Sequence, residues 1–281
     1  MFKIREFLNF GISFLKERKI ESFVIDAELI LANLLGKSRI DILMNQNLIF
    51  DQKLFSKYRE LIFRRSDSEP ISQIIGYREF WKDRFYVNKS TLIPRPETEC
   101  LIEEVLKIYG NSKNLLFGDF GSGTGCIGLS LLKELKNSRC FLIEKSTNAS
   151  KIIKKNAKSL NLSKKCILKN ISWNDFQLNR RKKFDFIVSN PPYIPKDDKK
   201  ILMRDVVHFE PKSALFANDF GLKSYHEIIS LSKKYLKKDG FLFFEVDKNF
   251  NKIRIPFFLQ LHSVTNDLLG IERVMVLRKV C

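Results

Sequence analysis

The chain has 281 residues, 44% of them hydrophobic and 29% charged, the balance of an ordinary folded protein long enough for one large domain and a smaller one. No apolar run approaches the length that crosses a bilayer, and the opening MFKIREFLNFGISFLKERKIES carries acidic residues and no small-residue cleavage pattern, so no secretory leader and a cytoplasmic location are expected. Five scattered cysteines, none in a C-x-x-C pair, and only three histidines exclude a disulfide framework and a zinc ribbon and leave little material for a metal site. The net charge of +18 suits attraction to RNA, the ribosome or an acidic protein, and equally suits lysines spread over solvated faces.

From Phe2 to about Arg65 apolar residues recur three and four apart, in IREFLNFGISFLKERK, SFVIDAELILANLLG and QKLFSKYRELIFRR, which predicts helices and a small helical domain over residues 1–70. The stretch SDSEPISQIIGYREFWKDRFYVNKSTLIPRP turns aromatic and β-branched, predicting a hairpin linker over 71–95. A second domain is expected over 96–281. There ETECLIEEVLKIYG reads as a helix, NLLFGDFGSGTGCIGLSLLKELKN as strand, glycine-rich turn and helix, and CFLIEKS as a strand ending on Glu144. Further on, FDFIVSN, FLFFEV and RVMVLRKV read as strands, and YHEIISLSKKYLKKDG as a helix closed by Gly240. Such alternation predicts an α/β fold, a mostly parallel sheet covered by helices on both faces.

Ligands of open α/β sheets bind beyond the carboxyl ends of the strands. Three polar features fall there. Asp119 ends one strand, and Gly121, Gly123 and Gly125 let the following backbone approach a ligand closely. Glu144 ends the next strand, where a carboxylate suits ribose hydroxyls. No Gly-Lys-Ser or Gly-Lys-Thr closes the glycine turn, so it is not a phosphate-binding loop of the Walker type. The third feature is Asn190-Pro191-Pro192-Tyr193. Its prolines stop the strand. The Asn190 side-chain carbonyl and the Pro191 carbonyl are two acceptors able to grip both hydrogens of a planar –NH₂, with Tyr193 as a flat wall. Read residue by residue, the same stretch is also a turn with a self-capping asparagine and a core tyrosine.

Together, DFGSGTGC, Glu144 and NPPY resemble class I S-adenosylmethionine-dependent amino-methyltransferases, whose Rossmann-like sheet has seven strands. PISQIIGYREF, TLIPRPETE and DVVHFEPKSALFA narrow the likeness to the peptide chain release factor glutamine methyltransferases, PrmC (also called HemK), over nearly the whole chain. The resemblance implies methylation of N5 of the glutamine in the Gly-Gly-Gln motif of class 1 release factors, with S-adenosylhomocysteine as the product. It assigns the cofactor to Asp119, Gly121, Gly123, Gly125, Glu144, Trp173 and Asn190. Catalysis falls to Asn190, Pro191 and Tyr193, and substrate binding to those three with Pro192 and Arg95. The segment Arg95 to Thr98 would close over the site, and the N-terminal helices would hold the release factor.

Ser172 stands before Trp173 where relatives commonly have Asp, so Asn170, Asp175 or a backbone group is left for the adenine amino group. After Glu245 the chain lacks the glycine common in relatives, and KNFNKIRIPFFLQLHS predicts a shortened, irregular crossover. Two other readings compete: adenine N6 methylation of a nucleic acid, and a non-catalytic module drawn to the translation machinery by charge. The first lacks a base-recognition domain, and the second leaves the glycine turn and Asn190 without purpose. A monomer with no nucleic-acid substrate, no membrane attachment and at most indirect ribosome association is therefore expected.

Overall fold

A computed structural model describes residues 1–179, 182–195, 204–247 and 249–281. The chain divides into two compact units, one of residues 1–77 and 203–209, the other of 78–202 and 210–281.

The first unit contains the helices α1 (Ile4–Glu17), α2 (Phe23–Leu35), α3 (Arg39–Met44), α4 (Gln52–Ser66) and α5 (Ile71–Ile75), with α9 (Arg204–Phe209) added from further along the chain. Two short strands, β1 (Phe2–Lys3) and β2 (Ile49–Phe50), pair antiparallel. The three longer helices follow the periodicity of the sequence; α3 and the β1–β2 pair lacked a signal there. Phe7, Leu15, Ile30, Leu31, Tyr58 and Ile62 are wholly buried between helices, each large apolar side chain contributing roughly 1.5–3 kcal/mol. Tyr58 runs across α1 at Gly11, where a Cβ would stand 2.1 Å from the phenol oxygen. Its hydroxyl donates to the Ala27 carbonyl at 3.2 Å. Arg65 meets the buried Asp26 at 2.7 Å, which ties α4 to α2.

In the second unit the hairpin β3 (Tyr77–Phe80) and β4 (Asp83–Tyr86) precedes a 3₁₀ turn at Pro96–Thr98 and α6 (Glu99–Tyr109). Then come β5 (Leu116–Phe120), α7 (Cys126–Glu134), β6 (Arg139–Ile143), α8 (Thr147–Ser159), β7 (Cys166–Lys169) and β8 (Phe184–Ser189). After the short β9 (Ile194–Pro195) come α10 (Lys212–Leu215), β10 (Phe216–Ala217), α11 (Lys223–Tyr235), β11 (Leu236–Glu245), β12 (Leu259–Asn266) and β13 (Glu272–Lys279). Among the described residues seven strands form one sheet in the order β12-β13-β11-β8-β5-β6-β7. All neighbours from β11 to β7 are parallel, and β13 runs antiparallel to both of its neighbours.

Alternation along the strands feeds two cores. Phe243, Val274 and Val276 join α6, α7 and α8 on one face, while Leu242, Phe244, Met275 and Leu277 join α11 on the other. The order turns back between β5 and β8, which creates the switch-point crevice at their carboxyl ends. Between β11 and β12 the described residues contain only a 3₁₀ turn, Phe250–Lys252, matching the irregular crossover expected from the sequence.

One helix end differs from expectation. Gly240 does not close α11, which stops at Tyr235; Gly240 lies inside β11. The reason is tertiary. Tyr235 donates to the Phe176 carbonyl at 2.5 Å, and the Lys279 ammonium donates to the Lys233 and Leu236 carbonyls, satisfying groups that another helical turn would have bonded. Gly240 is needed instead for close approach, since a Cβ there would stand 2.6 Å from the Asp185 carbonyl of β8.

The Asn156 side chain of α8 docks the hairpin through hydrogen bonds. Asn156 Oδ1 accepts from the Tyr86 amide at 2.7 Å, and its Nδ2 donates to the Tyr86 carbonyl at 3.1 Å and to the Thr124 carbonyl at 2.9 Å.

Candidate active site

The carboxyl ends of β5, β6 and β8 open on a cleft, the place where open α/β sheets take their ligands. Gly121 and Gly123 line it after β5, Glu144, Lys145 and Ser146 after β6, and Asn190 and Pro192 after β8. Trp173 forms a wall, and Ser90–Leu92 and Pro211, Ser213 and Ala214 line the cleft too.

Gly121 has φ +79°, and a Cβ there would stand 3.2 Å from the Trp173 ring. Glycine is therefore required both for the turn and for the space beside the indole. Glu144 steadies the loop it faces: Oε2 accepts from the Gly123 amide at 3.0 Å and Oε1 from the Ser146 amide at 2.8 Å. Each oxygen keeps acceptor capacity for a ligand. Asp119 sits elsewhere. It is wholly buried, and its Oδ2 accepts from the Gly128 amide at 3.0 Å, bracing the first turn of α7 from beneath. Oδ1 has no partner among the described residues, and burial pushes the carboxyl up to about 7. Asp119 and Gly125 stand behind the cleft wall, outside its lining.

Trp173 opens a 3₁₀ turn whose first residues are capped by the Ser172 hydroxyl, and its indole N–H donates to Glu227 of α11 at 2.8 Å. Asn170 spends its amide on the Glu144 and Lys145 carbonyls, and Asp175 is exposed.

At the end of β8, Ser189 donates to the Phe120 carbonyl at 2.6 Å, which locks the corner to β5. Asn190 Nδ2 donates to Glu245 Oε2 at 2.7 Å and lies 3.4 Å from the Thr98 hydroxyl. Tyr193 reaches Glu245 Oε1 at 3.5 Å. Burial pushes the Glu245 carboxyl up to about 7, against the opposing pull of the Thr98 hydroxyl and of Arg273. It also raises the Tyr193 phenol above its ordinary range, with Glu245 adding to the shift. Pro191 and Tyr193 lie beside the cleft without lining it. Arg95 turns its guanidinium onto Glu210, which also accepts from the Ile93 amide at 3.0 Å.

Glu245 and Glu210 escaped the sequence reading as site residues, and Thr98 entered it only as the end of the closing segment. Glu245 carried the best signal, because it ends the strand adjacent to β8, at the level of the Asn190 corner. Among the described residues no cluster of three His, Cys, Asp or Glu side chains could hold a metal ion, and no helix is long and apolar enough to cross a membrane.

Residues 96–211 match the model of the methyltransferase small domain. A structure described as a putative methyltransferase yhhF from Escherichia coli superposes with a TM-score of 0.50 at 15% identity, covering 71% of this chain and 93% of that one. This fold, with a glycine-lined cleft at its switch point, is that of a class I S-adenosylmethionine-dependent methyltransferase. Residues 6–76 match the PrmC N-terminal domain. Proteins described as release factor glutamine methyltransferase are 35% identical in Clostridium acetobutylicum, over 87% of this chain and 86% of the relative, and 34% identical in Leptospira interrogans, over 95% and 94%. The chain belongs to the release factor glutamine methyltransferase family. Its cleft suits the cofactor of that class: no atom lies within 4 Å of where a Gly123 Cβ would stand, so backbone is open to a ligand opposite the Glu144 carboxylate.

Proposed function

We propose that this chain transfers a methyl group from S-adenosylmethionine to the N5 amide nitrogen of the glutamine in the Gly-Gly-Gln motif of class 1 peptide chain release factors. One observation carries the reading. Asn190, its Nδ2 already engaged, lines the same cleft as Gly121, Gly123 and Glu144.

When bound, the cofactor supplies an electrophilic methyl group on a sulfonium. The backbone of Gly121 and Gly123 and the Glu144 carboxylate hold it, Trp173 and Asn190 flank it, and Asp119 and Gly125 keep the loop in shape from behind. An amide nitrogen is a poor nucleophile because its lone pair is delocalised, so orientation must do much of the catalysis. Asn190 Oδ1 and the Pro191 carbonyl accept the two hydrogens of the substrate –NH₂ and stabilise the positive character that grows on nitrogen during transfer. Pro192 and Tyr193 confine the side chain. The glutamine nitrogen loses one proton to water late in methyl transfer or after it.

In this reading residues 1–70 hold the release factor away from the reacting glutamine, 71–95 link, and 96–281 carry the chemistry, with Arg95 in the segment that closes over the substrate. The enzyme works in the cytoplasm as a monomer, takes no nucleic acid as substrate, and meets the ribosome at most indirectly through its charge. Incubation with methyl-labelled cofactor tests this. Label is expected on a class 1 release factor and not on its Gln→Ala variant, whereas label on adenine-containing DNA or RNA alone overturns the proposal. Asn190→Ala is expected to reduce transfer at least a hundredfold while the dissociation constant of the cofactor, by isothermal titration, stays within about threefold.

A further inference from the structure

Glu245 is 2% exposed and ends β11, where it is paired with Val274 of β13 while its neighbour Phe244 is paired with Ser189 of β8. Its main chain is fixed from a third side, since the Tyr225 hydroxyl donates to its carbonyl at 2.9 Å. A carboxylate held this firmly presents Oε2 to Asn190 Nδ2 at 2.7 Å and Oε1 to Tyr193. Asn190 Oδ1 has no partner among the described residues. The two ends of an asparagine amide have nearly the same shape and opposite hydrogen-bonding character. Above about pH 7, where Glu245 is ionised, it only accepts and so tells them apart. Turned over, the amide would set Oδ1 against Oε2 with no hydrogen between them, leaving two buried acceptors unmet.

We propose that Glu245 is a positioning residue that fixes which end of the Asn190 amide faces the cleft, and thereby makes the site select an amide over a carboxylate as its guest. This rests on the glutamine methylation proposed above. With Nδ2 withdrawn toward Glu245, the corner shows the substrate only acceptors, Asn190 Oδ1 and the Pro191 carbonyl. A side-chain –NH₂ brings two hydrogens to them. A glutamate in its place brings two more acceptors and is repelled. The donors of a neutral amide at position 245 would let Asn190 present either end, and that preference would fade.

Two variants, the control Asn190→Asp and one altered substrate, assayed near pH 8, test the proposal. For Glu245→Gln, transfer to intact release factor is expected to fall at least tenfold, with cofactor affinity within about threefold of wild type. A release factor carrying Gln→Glu in its Gly-Gly-Gln motif is expected to inhibit Glu245→Gln at least tenfold more strongly than it inhibits wild type. The second variant exchanges the two functional groups. Asn190→Asp alone sets two carboxylates together and should be nearly inactive. Combined with Glu245→Gln, it regains a donor on the inner side and an acceptor facing the cleft, and should recover at least tenfold over Asn190→Asp alone. The inference fails if inhibition by the Gln→Glu factor is unchanged in Glu245→Gln, or if the exchanged pair is no better than Asn190→Asp. Wild-type enzyme that labels no release factor overturns the proposed activity itself and this inference with it.

Discussion

Glu210 joins two walls of the cleft through Ile93: its buried carboxylate accepts the Ile93 amide at 3.0 Å and pairs with the Arg95 guanidinium on the same segment. Ser90–Leu92, just before Ile93, line one wall, and Pro211, Ser213 and Ala214, just after Glu210, line the other. Glu210→Ala would strand a buried N–H and uncouple the walls. It is expected to lower unfolding free energy by roughly 2–4 kcal/mol and to weaken cofactor binding several-fold, measured by urea titration and calorimetry. Full stability with unchanged affinity would mean the walls are held by other contacts.

Asp119 gives the fold a pH signature. Its folded carboxyl is raised from 3.8 to about 7, by burial first, with the Gly128 amide pulling the other way and Glu144 adding to the rise. A raised carboxyl contributes its full stability below the unfolded value and loses it as pH rises through the folded one. Between pH 5 and 7 wild type should therefore lose stability relative to Asp119→Asn, by up to about 1.4 kcal/mol per pH unit. Parallel stability curves for the two proteins over that interval would refute the assignment.

Gly221 stands against the active corner from outside the glycine loop. Its φ is +90°, and a Cβ would lie 2.1 Å from the Tyr193 carbonyl, a backbone atom that cannot yield cheaply. Gly221→Ala should cost about 3 kcal/mol in thermal or chemical unfolding and lower methyl transfer more than tenfold by displacing Tyr193. Cofactor affinity should change little, because Gly121, Gly123 and Glu144 are untouched.

Glu144→Gln probes the other half of the cleft. The carboxylate accepts from both Gly123 and Ser146, and a glutamine can satisfy only one of them without turning a donor on the other. The dissociation constant of the cofactor should rise about tenfold or more, some 1.4 kcal/mol, with global stability within about 1 kcal/mol of wild type. An unchanged constant would remove Glu144 from the binding role.

What could be read from sequence was local chemistry. The run Phe184–Ser189 into two prolines announces a strand end wherever it occurs, and a glycine turn with a carboxylate after the next strand announces a nucleoside cleft. The three longer helices of the first unit were legible because each has its own apolar stripe. Partnerships across long separations were not. Asn190 and Glu245 are 55 residues apart, and Ile93 and Glu210 are 117 apart, so nothing in either neighbourhood names its partner. Gly240 misled for the same reason: its cause is the Asp185 carbonyl on another strand, which no local pattern contains.

The Asn156 side chain meets both backbone groups of Tyr86, as the main chain of a neighbouring strand would, and holds the Thr124 carbonyl with the same nitrogen. A single amide thus stands in for a missing strand at the hairpin and reaches the loop between Gly123 and Gly125. Deuterium uptake at the Tyr86 amide, a site remote from the reacting corner, becomes a built-in gauge of how firmly that loop is held.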